Sequence, residues 1–298
     1  MTEQLTISGH FSTTATITLG LMLLSVMASA TYWLNKISAK KLHQHPLVYS
    51  LAIFTSFSTF SFFGASNLAH HFGYSYLIYY LGSSALFLFA PLLLAKLMDI
   101  SIQHRLRSLA DLMTFRFHNQ AIGTITTIAL TLCSLPLMLK LFEFIQLTTH
   151  SFSQPQPKGE FFVAGNINIL IFGVFLAVIA CLIDSQKLRS HSQKSSLLPL
   201  VALLGLVSLI SLVAAGYAAY TKGFEAQGGF TNWLQQNPDA SSHLKTMLPT
   251  DAGQFLIAIF ASAVITLPHS FHLLFAEQPR LANLKIASWL VPSFLLLA

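Results

Sequence analysis

Seven apolar runs of more than twenty residues, and the start of an eighth, succeed one another along this chain with polar connections between them. They occupy residues 13–34, 49–73, 76–98, 122–147, 162–183, 197–220 and 252–276; the last begins at Ile286 and is still apolar at Ala298. About 20 apolar residues in an α-helix match the roughly 30 Å hydrocarbon core of a bilayer. Inside that core only protein groups can satisfy a backbone amide, which strongly favours helices. The composition agrees, with 54% hydrophobic and 9% charged residues and a mean hydropathy of +0.64. Soluble domains carry roughly a quarter charged residues. The expectation is an all-α polytopic membrane protein of about eight transmembrane segments.

The second run, YSLAIFTSFSTFSFFGASNLAHHFG, is unusual in carrying Thr55, Ser56, Ser58, Thr59 and Ser61 near its middle, followed by Gly64 and Asn67. Small hydroxyl residues at membrane depth let backbones approach closely and supply oxygens where irregular backbone must be satisfied internally. Two readings stand side by side: a helix–helix packing face, or a discontinuous helix lining a solute or ion site.

Pro91 is expected to kink the third run. After it comes DISIQHRLRSLADLMTFRFHN, whose Leu106, Leu109, Leu112, Met113 and Phe117 are spaced for one apolar face, as in an amphipathic helix or loop at the membrane surface. The fourth run carries Lys140 and Glu143. Lys140 lies 18 residues past Ile122, roughly 27 Å of helix, which places it near the far interface where lysine snorkels cheaply. The fifth run has Asn166 and Asn168 near its start, and the connection 221–250 is polar with Trp233 and room for a short surface helix. Pro268 breaks the seventh run.

Twelve of the sixteen Lys and Arg residues fall on one side if the helices alternate. Only Lys158, Lys222 and Lys245 fall on the other, and Lys140 is within a helix. This places the basic loops in the cytoplasm and the N-terminus outside. Ala28-Ser29-Ala30 resembles a signal-peptidase site, but no Lys or Arg precedes it, so the first run reads as an uncleaved helix. The net charge of +6 lies in short loops and gives no reason to expect nucleic acid. Cys133 and Cys181 both sit in apolar runs, and His43/His45, His70/His71 and His269/His272 read as loop or interface histidines rather than metal ligands. With no phosphate-binding loop or hydrolase motif, no enzymatic chemistry and no catalytic residue is expected.

Several segments resemble the sodium/solute symporter family, especially the symporter-like membrane domain of bacterial sensor histidine kinases. Ser58-Thr59-Phe60-Ser61-Phe62-Phe63-Gly64 is similar to the Thr-Ser-Trp-Thr-Phe-Tyr-Gly of its first core helix, with Phe60 at the tryptophan position. Arg107-Ser108-Leu109-Ala110-Asp111 with Arg116-Phe117 resembles the cytoplasmic Arg-x-x-Ala-Asp-Phe…Arg-Tyr segment, and Leu135-Pro136 the Leu-Pro-Tyr of the next helix. Leu267-Pro268-His269-Ser270-Phe271-His272 with Glu277 resembles Leu-Pro-Arg-Gln-Phe-His…Glu of the sixth core helix, with His269 at the arginine position.

The resemblance implies a LeuT-type fold of two inverted five-helix repeats after an extra first helix, with broken helices meeting at the midplane. On that plan residues 13–35 are the extra helix, 48–220 the first repeat, 221–250 an external loop and 251–298 the start of the second repeat. It implies cation-coupled transport of a small organic solute in a bacterial cytoplasmic membrane, or use of the same domain as the sensory input of a histidine kinase. The implied solute and ion path takes Ser56, Ser58, Thr59, Ser61, Gly64, Thr266, Pro268 and His269, with sodium as the coupling ion in a partial site and no other cofactor. A chain ending at Ala298 is expected to be the N-terminal part of a longer protein, because 13 residues from Ile286 make only about 20 Å of helix.

Overall fold

The computed structural model describes residues 45–152, 198–224, 228–236, 238, 250–276 and 280–298, with Met22, Ser25, Val26 and Ser29. No strand occurs among the described residues. Helix α1 (Pro46–Thr59) starts where His45 is extended (φ −78°, ψ 130°) and its Nδ1 accepts the Leu47 N–H at 3.3 Å, with proline in the first helical position. The chain stays right-handed through a π turn, Phe60–Gly64, into α2 (Ala65–Phe72). Gly73, at φ 55°, ends α2 and opens a 3-10 turn to Tyr76. Then come α3 (Leu77–Leu88), α4 (Leu94–His104), α5 (Leu109–Phe117), α6 (Gln120–Phe152), α7 (Leu198–Gly223) and α8 (Phe230–Gln236). The last elements are α9 (Thr250–Thr266), the single turn α10 (Pro268–Phe271) with a π turn at His272–Ala276, and α11 (Leu281–Leu297).

The chain divides into two compact units, one of residues 38–130 and 196–298, the other of 1–37 and 131–195. In the second unit the described residues are four near the N-terminus and α6 from Thr131 onward, where Ser25 and Ser29 return their hydroxyl protons to Met22 O and Val26 O. In the first unit α1 is the central rod, packed by α7 and α11, while α9 lies along α3. Tyr49, Ile53 and Phe57 recur every four residues on the buried face of α1, and Leu284, Ala287, Val291 and Leu295 form the matching stripe of α11. The rings meet edge to face, Phe54 on Phe294 at 5.9 Å and Phe57 on Phe87 at 6.1 Å. The α1–α7 crossing turns on Gly205, where a Cβ would overlap the Leu51 carbonyl oxygen. Thr55 Oγ1 latches that crossing, 2.8 Å from Val201 O and 3.0 Å from Leu51 O.

Among the described residues, two helices are long and apolar enough to cross a bilayer, Gln120–Lys140 (21 residues) and Leu198–Gly223 (26 residues). A third span results if α9 and the segment after Pro268, bent by 57°, are taken together. This fits a helical membrane protein but not the expected eight spans or two five-helix repeats. The fifth run, and all but four residues of the first, lie outside the described residues. The third run is two helices, because around Pro91 the chain leaves the helix at Phe89 and re-enters it only at Leu94. The second and eighth runs give shorter apolar helices, Pro46–Ser58 and Leu281–Leu297, the first prolonged by its π turn and α2. Lys140 lies within α6, which continues to Phe152. The short helix near Trp233 is α8, with Trp233 stacked on Phe230 and edge-on to Phe224.

Candidate functional site

The hydroxyls of the second run behave differently from one another. Ser50 and Ser58 donate to helix carbonyls, Pro46 O and Thr55 O, both at 2.9 Å, as serines in helices usually do. Ser56 is half-buried and Ser61 only 5% exposed, and neither hydroxyl makes a hydrogen bond of good geometry. Ser61 sits in the π turn. Its own helical acceptor four residues back, Phe57 O, already receives the Tyr79 hydroxyl at 3.1 Å. The Tyr79 and Tyr80 hydroxyls lie beside Ser61, so three neutral oxygens gather there, although none is aligned for a good bond to it. Phe60 walls the place, 4.3 Å from Tyr79 and 5.9 Å from Phe260 between ring centres. Gly64 is buried, and a Cβ on it would run into the Phe60 ring at 2.6 Å. Thr59 ends α1; its side chain lies outside the described set.

The break at Leu267–Pro268 is the second irregularity. Leu267 is extended (φ −68°, ψ 125°) and Pro268 starts α10, so no i−4 bond carries α9 across. The π turn beyond it displaces carbonyls, and hydroxyls from other helices donate to them. Tyr49 OH donates to Leu274 O at 2.9 Å; Ser101 Oγ lies 3.1 Å from Phe275 O and 2.9 Å from Leu106 O, one proton serving either. Thr266, Pro268 and His269 are exposed, and Thr266 bonds back to Ser262 O at 3.1 Å. The turn presents Ser270 and Phe271 to the core instead. Ser270 is 2% exposed and its hydroxyl has no hydrogen-bond partner.

Sequence reasoning therefore missed Ser270, Tyr49, Tyr79 and Ser101. A serine two residues after a proline in an apolar run was the one local signal for any of them. Among the described residues no three of His, Cys, Asp and Glu gather as for a metal. What the arrangement offers is neutral oxygen in an apolar, aromatic setting, suited to hydrogen-bonding a small polar molecule. Three hydroxyls also make part, but not all, of the shell a hard cation takes. Comparison with protein-family models, curated proteins and solved structures gives no match to this chain.

Proposed function

We propose that this chain is the membrane domain of a cation-coupled carrier, or of a sensor using the same domain, that binds a small organic solute beside the Phe60–Gly64 turn. Kinship with the sodium/solute symporters, a bacterial cytoplasmic membrane and an external N-terminus belong to this proposal and rest on the motifs and the loop charges. The observation that carries it is Ser61: a buried hydroxyl whose helical acceptor is taken, facing two phenol hydroxyls in an apolar surrounding. A buried polar group left unpaired costs about 1–3 kcal/mol, a cost that a bound polar solute relieves. Sodium, if it couples, would be held by these hydroxyls together with oxygens of the solute.

The test is a thermal-stability screen of the purified full chain with a panel of small acids, sugars and amines, in sodium and in potassium buffer. A ligand at 100 times its Kd stabilises by about 2.7 kcal/mol, a readily visible shift. At least one solute is expected to stabilise in sodium and less in potassium, and Ser61→Ala to reduce the effect. No solute-dependent shift, or one indifferent to Ser61→Ala, overturns the proposal.

A further inference from the structure

Helix α5 is tied closely to the long apolar helix α6 by a short connection. It ends at Phe117, and the apolar stretch Gln120–Lys140 begins three residues later. Only His118, left-handed at φ 50°, and Asn119, whose Oδ1 accepts the Ala121 N–H at 2.9 Å, stand between. A helix joined so closely to a bilayer crossing lies at the interface. Its inner side is occupied: Leu109 is buried, Leu112 and Met113 pack on the core, and a Cβ at Gly123 of α6 would overlap Thr114 Oγ1.

Exposed cations flank α5 at both ends. Arg105, Arg107 and Arg116 are exposed, with Lys96, His104 and His118 on the same segment. Two carboxylates accompany them. Asp111 gives Oδ2 to the Arg107 and Ser108 N–H groups at 3.1 and 3.0 Å, while Ser108 Oγ accepts the Asp111 N–H at 3.1 Å. That capping box commits the acid to the helix start. Asp99 lies on α4, three residues after Lys96. Among the described residues none of the three arginines has an ion-pair partner. Phe117, 58% exposed, comes directly after Arg116, an apolar ring next to a guanidinium that can reach outward.

We propose that Arg105, Arg107 and Arg116 form a docking surface for the phosphate headgroups of anionic phospholipids in the leaflet that α6 enters, with Phe117 set into the acyl boundary. The inference rests on α6 crossing the bilayer and not on solute binding. Each juxtamembrane cation strengthens association with an anionic surface about five-fold, so three together give on the order of 100-fold. The exposure of all three side chains and the apolar ring beside Arg116 suit a lipid surface better than a free phosphate ion.

The purified full chain in neutral detergent is titrated with phosphatidylglycerol and with phosphatidylcholine, and retained lipid is read by native mass spectrometry. Phosphatidylglycerol is expected to be preferred, R105Q/R107Q/R116Q to lose most of that preference, and R105K/R107K/R116K to keep it within a few-fold. Inorganic phosphate at about 10 mM is expected to displace nothing, since each of its contacts lacks the lipid's acyl anchorage. Equal retention of the two lipids by the wild type, undiminished preference in the glutamine variant, or displacement by inorganic phosphate each overturns the proposal. Should the glutamine variant fail to fold, loss of the wild-type preference in high salt decides in its place.

Discussion

Replacing Gly205 by alanine sets two effects of opposite sign against each other. In the middle of a helix alanine is favoured over glycine by about 0.8–1.0 kcal/mol. Against this, the added Cβ would overlap Leu51 O and come within 2.6 Å of Thr55 Oγ1 and 3.1 Å of the Leu51 carbonyl carbon. Backbone cannot rotate away as a side-chain tip can. The helices must separate, which stretches the 2.8 Å Thr55–Val201 contact, worth about 1 kcal/mol, and loosens the packing of Ala52, Leu198 and Ala202. Overpacking of this kind costs about 1–3 kcal/mol, so the net effect is destabilising by up to about 2 kcal/mol. Gly216, on the same helix, has nothing within 4 Å of its added Cβ and serves as the internal control. In thermal melts of the full chain in detergent, Gly205→Ala is expected to lower Tm by several degrees, at about 2–4 °C per kcal/mol. Gly216→Ala is expected to leave Tm unchanged or raise it. Equal stability of the two variants would refute the close approach of α1 and α7.

Tyr49→Phe keeps the ring and removes only the donor to Leu274 O, leaving a buried carbonyl of the second π turn unpaired; a loss of about 1–3 kcal/mol is expected in the same melts. Reporter fusions after His104 and after Asn237 are expected to report cytoplasm and exterior respectively, as the loop charges direct; the reverse pattern at both would sink that orientation.

Where the helices lie was largely readable, because apolar run length is a local property. The sixth run, 197–220, became α7 at Leu198–Gly223, and Pro268 marked its break to the residue. The π turns were not readable. Each is stabilised by a hydroxyl distant in sequence, Tyr79 for Phe57 O and Tyr49 for Leu274 O, the latter 225 residues away. The inward face after Pro268 was hidden for a related reason: a break resets the helical phase, so periodicity carried over from α9 does not say that Ser270 and Phe271 turn inward while Thr266 and His269 stay out. Phe117, expected on the apolar face of α5, is exposed because the helix stops there at a left-handed residue.

The two readings of the hydroxyl-rich run, packing face or polar site, divide residue by residue. Ser50, Thr55 and Ser58 have carbonyl acceptors in their own helix, and Thr55 adds one on α7, so their oxygens are already spoken for and their small size serves packing. Among the described residues four serines with buried hydroxyls lack a partner, Ser56 and Ser84 within regular helices and Ser61 and Ser270 at the two irregular turns. Ser61 stands in the π turn without an acceptor, and the Tyr79 hydroxyl donates to Phe57 O, four residues before it. Ser270 sits in the single turn after the break, where Leu267 is extended and no helical turn stands behind it. The same irregular backbone that needed outside hydroxyls to satisfy its carbonyls thus leaves nearby hydroxyls without acceptors. A buried hydroxyl without an acceptor is a group that a bound polar molecule or water can satisfy, which is the ground on which the solute site is proposed.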